Sequence, residues 1–203
     1  SHSLLISVVS TKSFNVCAVQ TNKLAIGYNN KIVLDNLSFK FEFGNKYVIK
    51  GANGVGKSTF IKTILGLIEP ISGSVKLAPY NNILYYSQEE EVLDISAIEY
   101  VRLKYPKMDN TSIRTLLASY GLSGKLALSS CKELSGGEMS RLRFARLSLI
   151  SSNLLILDEP TNHLDKISKE ALFKCIKEYP GTVILVSHEK QFYKDLNMKE
   201  ISF

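Results

Sequence analysis

An eight-residue run, Gly51-Ala52-Asn53-Gly54-Val55-Gly56-Lys57-Ser58, constrains this chain more than any other feature. It fits the pattern GxxxxGK[ST]. Apolar Tyr47-Val48-Ile49 precedes it, and Phe60, Ile61, Ile64, Leu65 and Ile68 follow at helical spacing. A strand that feeds a Gly-rich loop and then opens a helix is the setting in which the pattern carries meaning. The glycines let the backbone curl so that successive N–H groups point inward and form an anion nest. The helix adds its positive N-terminal end. Lys57 can then reach the β- and γ-phosphates of a nucleotide, and the Ser58 hydroxyl can bind Mg²⁺. With average glycine usage, the bare pattern arises by chance in on the order of one per cent of chains this long, so its strand–helix setting decides the reading.

The rest of the pattern agrees with a sheet-and-helix domain. Apolar strands are expected at residues 154–157 and 182–186, separated by a helix over about 168–178 that buries Leu172, Phe173 and Ile176. Strand, helix, strand in this order implies a parallel sheet with right-handed crossovers. Ahead of Lys46 the texture differs. Residues 37–43 alternate, with Leu37, Phe39, Phe41 and Phe43 on one face, as in a half-buried strand. Shorter apolar pieces at 14–19, 24–26 and 32–34, with Asn29-Asn30 as a turn, predict a small antiparallel sheet. Residues 95–134 have weaker strand character. Ser96 and Glu99 form a capping box there, and a second helix over about 111–120 stops at Gly121. A helical subdomain inserted into the sheet domain is expected.

Composition narrows the class. The chain has 203 residues, 45% hydrophobic and 22% charged, which excludes disordered, collagen-like and disulfide-framework chains. No stretch approaches the roughly 18–20 apolar residues of a membrane-spanning helix; the richest, residues 147–157, is broken by Ser148, Ser151, Ser152 and Asn153. A soluble domain is expected. The net charge of +6 favours anionic partners such as nucleotide, nucleic acid or a phospholipid surface, although basic proteins without polymer partners are common. Cys17, Cys131 and Cys175 are widely spaced and show no CxxC, so they read as reduced thiols of a cytoplasmic protein. Ser1-His2-Ser3 reads as a tag remnant, and residues 1–19 as a tag or linker segment.

Further residues add chemistry. Leu154-Leu155-Ile156-Leu157-Asp158-Glu159 is an apolar strand ending in two acids. Asp158 suits a Mg²⁺ site beside the phosphate loop, and Glu159 can polarise a water for attack on a γ-phosphate. Leu134-Ser135-Gly136-Gly137-Glu138 opens a helix that continues to about Leu149. Its Ser-Gly-Gly start is a second phosphate-binding device. Val186-Ser187-His188 ends the last strand with an imidazole at the same sheet edge, and Gln88 follows the apolar run at 83–86.

With these motifs in this order, the chain resembles the ATP-binding-cassette (ABC) ATPases from about Leu24 to Asp195. The resemblance implies an α/β P-loop NTPase fold. It would have a mainly parallel core sheet with helices, an N-terminal antiparallel β subdomain and an inserted helical subdomain at about 94–134. It makes residues 1–203 a single nucleotide-binding domain. It implies ATP and Mg²⁺ as cofactors and ATP hydrolysis as the activity, weak in an isolated monomer. Mg-ATP would sit on residues 51–59, with Asn53, Gly54, Gly56, Lys57, Ser58 and Thr59 in contact, and Tyr28 would stack on the adenine. Ser58, Gln88 and Asp158 would hold the metal, while Glu159, His188 and Gln88 would act on the γ-phosphate. Ser135 and Gly137 would touch ATP held by a second cassette, and Asp165 would lie at that interface. A tandem cassette or a head-to-tail dimer is the implied partner.

Two branches of the family fit. Asp158-Glu159-Pro160-Thr161-Asn162-His163-Leu164-Asp165 resembles the DEPTNHLD of the ABC-F branch, whose tandem-cassette proteins act on ribosomes as translation or antibiotic-resistance factors. Glu138, with Arg141-Leu142-Arg143-Phe144-Ala145-Arg146-Leu147 after it, is similar to that branch as well. The alternative is the ATP-binding subunit of a membrane transporter, partnered by a membrane subunit. In the ABC-F reading the chain is one excised cassette, expected to be the C-terminal one, and its +6 charge suits salt-sensitive rRNA contact through phosphates.

Overall fold

The computed structural model describes residues 17–79, 81–86, 91–150 and 152–203. The pieces expected at 14–16, the expected leading segment before residue 17, and Gln88 lie outside the described residues.

The first sheet is antiparallel and is organised by one long strand, β1 (Cys17–Tyr28). It takes up what the sequence suggested as two pieces. Asn29 (φ 49°) and Asn30 (φ 61°) make the expected two-residue turn, with Tyr28 opposite Lys31. β2 (Lys31–Leu37) returns along the second half of β1, and β3 (Lys40–Glu42) pairs with its first half. The single strand expected over 37–43 is therefore two strands broken at Ser38-Phe39. The cause lies in β1, which bends at Lys23 (φ 44°), so its partner must change course at the same level. Thr21 fills the break: its N–H donates to Phe39 O at 2.9 Å, and its hydroxyl accepts the Phe39 N–H at 2.9 Å. Leu37 and Phe41 are buried as expected, whereas Phe43 falls in the following turn and is exposed.

The second sheet is parallel throughout. It is built from β4 (Lys46–Lys50), β6 (Ile83–Tyr86), β7 (Leu154–Asp158), β8 (Thr182–Val186) and β9 (Lys199–Ser202), in the order β6-β7-β8-β4-β9. Its central strands β7 and β8, buried on both faces, read as continuous apolar runs. Tyr47, Ile49, Leu154, Ile156, Ile184 and Val186 face α1 (Lys57–Ile64) and the antiparallel sheet, against Phe60, Ile61, Leu24, Ile26 and Phe41. Val48, Leu155, Leu157, Val183 and Leu185 face the opposite layer. That layer holds α2 (Ala97–Lys104), α3 (Asn110–Ser119), α4 (Lys125–Leu128), α5 (Gly136–Ser148) and α6 (Lys166–Glu178). Burying one Leu or Ile on such a face contributes about 1.5–3 kcal/mol, and the two layers share the sheet as their common support.

Several boundaries moved for local reasons. α1 stops at Ile64 rather than Ile68, because Gly66 adopts φ 74°, and Leu67 is left exposed. α3 begins at Asn110, since Asp109 caps it by accepting the Ser112 N–H at 2.9 Å. It ends as expected before Gly121, with Gly121 N–H on Ala118 O and Leu122 N–H on Leu117 O. In α6, Cys175 takes the buried position beside Leu172 and Ile176, while Phe173 is only partly buried. Burial pushes the Cys175 thiol up to about 12, which makes it inert. The short strand β5 (Ser72–Leu77), the edge strand β9 and the short helix α7 (Lys190–Tyr193) were not expected. No described helix is long and apolar enough to cross a membrane.

Candidate active site

The site lies where β4 and β7 end. From Lys50 the chain turns through residues 51–56 into α1, whose N-cap is Gly56 at φ 118°. A side chain at Gly56 would be strained, and its Cβ would lie 2.9 Å from Val33 Cγ1 and from Leu34 Cδ1. The glycine thus lets the loop pass close against β2. Lys57 folds back over the loop with 6% of its surface exposed. Its ammonium donates to Gly51 O at 2.5 Å and to Ala52 O at 3.4 Å, and Nζ lies 4.0 Å from Glu159 Oε1. These partners offset the desolvation of a buried cation.

Glu159 follows β7 in the left-handed region, φ 44°, with its N–H on Val186 O at 2.9 Å. That conformation is costly for a residue with a side chain and aims the carboxylate back across the sheet edge. His188, which follows β8, meets it there: Nδ1 is 3.0 Å from Oε2 and 3.1 Å from Oε1. Glu159 is thereby flanked by an ammonium and an imidazole. Asp158 sits beside it. Burial raises the Asp158 carboxyl above its ordinary range, the Ser58 hydrogen bond works against the rise, and the Glu159 charge adds to it.

Lys57, Asp158 and Glu159 line a cleft of about 340 Å³, which His188 reaches only through its contact with Glu159. Of the expected residues, it gathers Tyr28, Asn53, Gly54, Gly56, Lys57, Ser58, Thr59, Asp158 and Glu159. The Thr59 hydroxyl lies 3.4 Å from the Tyr28 hydroxyl, tying the exposed ring to the loop. Val33 also lines the cleft and was not expected. Its signal was the run Ile32-Val33-Leu34, apolar on both faces of a short strand, so that one face had to find a use. Ser58 and Asp158 form an oxygen donor set of the kind Mg²⁺ prefers, and a buried carboxylate with a raised pKa fits a cation beside it. Among the described residues, no group of three or more His, Cys, Asp or Glu could hold a metal ion.

The sign of the Asp158 shift gives a test. A carboxyl whose pKa is raised by folding costs nothing well below its ordinary value of 3.8, and its penalty grows as pH rises from there through the folded value, above which it is complete. Without nucleotide, Asp158→Asn is therefore expected to raise Tm near pH 7.5 and to leave it unchanged near pH 3. A thermal melt showing a lower Tm near neutrality contradicts this.

Ser135, Gly137 and Asp165 are assembled elsewhere and do not line the cleft. Ser135 caps α5 in a full capping box with Glu138. Asp165 caps α6 by accepting the Ser168 N–H at 2.8 Å. The Ser168 hydroxyl donates to Gly137 O at 3.1 Å, and a Cβ on Gly137 would sit 2.7 Å from Asp165 Oδ2. The two helix starts thus form one corner, separate from the cleft.

A family model described as ABC transporter matches residues 34–162. The ABC transporter ATP-binding protein YfmM of Bacillus subtilis (strain 168) is 41% identical over 178 residues, covering 87% of this chain and 34% of that protein. ATP-binding cassette sub-family F member 3 of Homo sapiens is 37% identical over 188 residues, covering 90% of this chain and 26% of that protein. The chain thus spans about a third or less of the length of these relatives. Among solved structures, an ABC transporter ATP-binding protein from Pyrococcus furiosus superposes with a TM-score of 0.69 at 28% identity, covering 84% of this chain and 91% of that one.

Proposed function

The chain belongs to the ABC transporter family as an ATP-hydrolysing cassette, and on that premise we propose that it is one of two cassettes of an ABC-F protein, a translation or antibiotic-resistance factor whose shared ATP sites drive its action on the ribosome. The observation that carries the shared site is the separation of the corner at Ser135, Gly137 and Asp165 from the cleft at Lys57 and Glu159. Two phosphate-binding devices that do not meet within one cassette serve one nucleotide only if two cassettes meet head to tail. Each cassette then supplies half of two sites. We place residues 1–203 in a single cassette, with the helices between β6 and α5 as its helical subdomain.

In this mechanism Tyr28 and Val33 hold the base, and residues 51–59 cradle the phosphates. Lys57, already aimed into the loop, moves its ammonium from Gly51 O and Ala52 O to the β- and γ-phosphates. Ser58 and Asp158, with Gln88, would hold Mg²⁺, which supplies charge neutralisation at the phosphates when bound. Glu159 accepts a proton from the attacking water, and His188 keeps the carboxylate oriented and contacts the γ-phosphate. The partner's copies of Ser135 and Gly137 close over the γ-phosphate.

Support for the ribosomal role comes from the run at 158–165, the relatives in sub-family F, and a net charge of +6 suited to phosphate-rich RNA. The test uses the parent protein carrying Glu159→Gln in cells, with the lysate separated into ribosome, membrane and soluble fractions. Enrichment on ribosomes, lost at high salt or without ATP, is expected. Enrichment with membranes and none on ribosomes would assign the chain to a transporter.

A further inference from the structure

Beyond the residues of the cleft, the loops after β7 and β8 are joined by a second contact. Thr161, 1% exposed, donates its hydroxyl to Glu189 Oε1 at 2.8 Å. The other carboxylate oxygen, Oε2, takes the Lys169 ammonium at 2.7 Å. The backbone of Glu189 is itself fixed, its N–H donating to the hydroxyl of Ser187, which is fully buried. One side chain therefore holds three elements: the segment after β7, the loop after β8 and helix α6.

Its location gives the contact a consequence. Glu189 is next to His188 and Thr161 is two residues from Glu159, so Thr161–Glu189 runs alongside the His188–Glu159 contact. The two bonds form the rungs of a ladder that continues the β7–β8 pairing past the sheet edge. The third arm, Lys169, lies on α6, whose cap Asp165 abuts Gly137. A chain of contacts thus runs from Glu159 to the corner that would face the second cassette. Burial alone would raise the Glu189 carboxyl, but the hydrogen bonds from Lys169 and Thr161 outweigh it and hold it below its usual range, so both arms act on the charged form.

We propose that Glu189 is a positioning residue for hydrolysis, clamping Thr161 and Lys169 so that His188 and Glu159 stay in register with the partner-facing corner. The proposal rests on the shared-site reading above. The clamp touches neither base nor phosphates, so its loss misplaces the reacting groups and leaves nucleotide binding alone. Small misplacements at a reacting centre are costly in rate.

The test compares wild type with Glu189→Gln, Thr161→Val and the double variant, measuring Mg-ATP affinity by titration and turnover against chain concentration. Each single variant is expected to bind Mg-ATP within about twofold of wild type while saturated turnover falls about tenfold, with the double variant no slower than Glu189→Gln alone. Wild-type turnover for either variant, parallel losses in affinity and turnover, or independent multiplying losses in the double variant would overturn the clamp. If Glu189→Gln fails to fold, Lys169→Met on the half-buried arm carries the same comparison. A wild-type rate that does not rise with chain concentration would sink the shared site instead, and the clamp would still stand or fall on the split between turnover and affinity.

Discussion

Replacing Glu159 by glutamine is expected to slow ATP turnover by about a hundredfold or more while Mg-ATP affinity stays within about twofold of wild type. Glutamine keeps the volume and the strained backbone at φ 44°, and it remains in reach of His188 Nδ1. What it loses is the charge that can accept a proton from water. It also releases Lys57 from a carboxylate 4.0 Å away, so the ammonium is no less available to the phosphates. Binding therefore survives and chemistry does not. With hydrolysis blocked, ATP should hold two cassettes closed, and the variant should elute at twice the chain mass in ATP but not in ADP. Wild-type turnover would remove Glu159 from the role given to it; weakened binding would place its contribution in the ground state instead.

Lys57→Ala acts on the other side of that division. The buried ammonium is the cation that the loop presents to a nucleotide, and its surroundings are already arranged around it. Removing it leaves Gly51 O without its ammonium donor and Glu159 without the ammonium 4.0 Å away. A charge-assisted hydrogen bond is worth about 1.5–3 kcal/mol, and Lys57 makes more than one to the phosphates, so affinity for Mg-ATP is expected to fall about a hundredfold. Calorimetric titration of the two proteins reads this directly. Unchanged affinity would contradict the placement of the phosphates on residues 51–59.

Most of the cleft was legible because its chemistry is local in the chain. The phosphate loop is contiguous, and the acids at 158–159 and the imidazole at 188 each end an apolar strand. The parallel sheet was legible for the same reason, since strands buried on both faces cannot avoid continuous apolar runs. Its edges were not. β9 has Ile201 as its one apolar residue, and β5 is mostly exposed, so neither carries a pattern distinct from a loop. The alternation over 37–43 was real, yet period alone cannot show that the partner strand bends at Lys23 and forces a break. The Glu189 contacts were out of reach altogether. Thr161 and Lys169 lie 28 and 20 residues away, and no local spacing predicts a bond that only the β7–β8 pairing brings about.

The shared site is tested most directly by mixing two inactive chains. Lys57→Ala lacks the phosphate loop's cation but keeps the corner at α5. Gly136→Asp keeps the cleft and should fold, since a Cβ at Gly136 meets nothing within 4 Å and an acid suits a helix N-terminus. Its charge, however, would face the partner's γ-phosphate. Each variant alone is expected to be inactive. Half of randomly formed pairs are mixed, and each mixed pair holds one intact site of two, so the mixture should recover about a quarter of the wild-type turnover. A mixture as inactive as its components, with mixed pairs demonstrated, would contradict a site built from two cassettes.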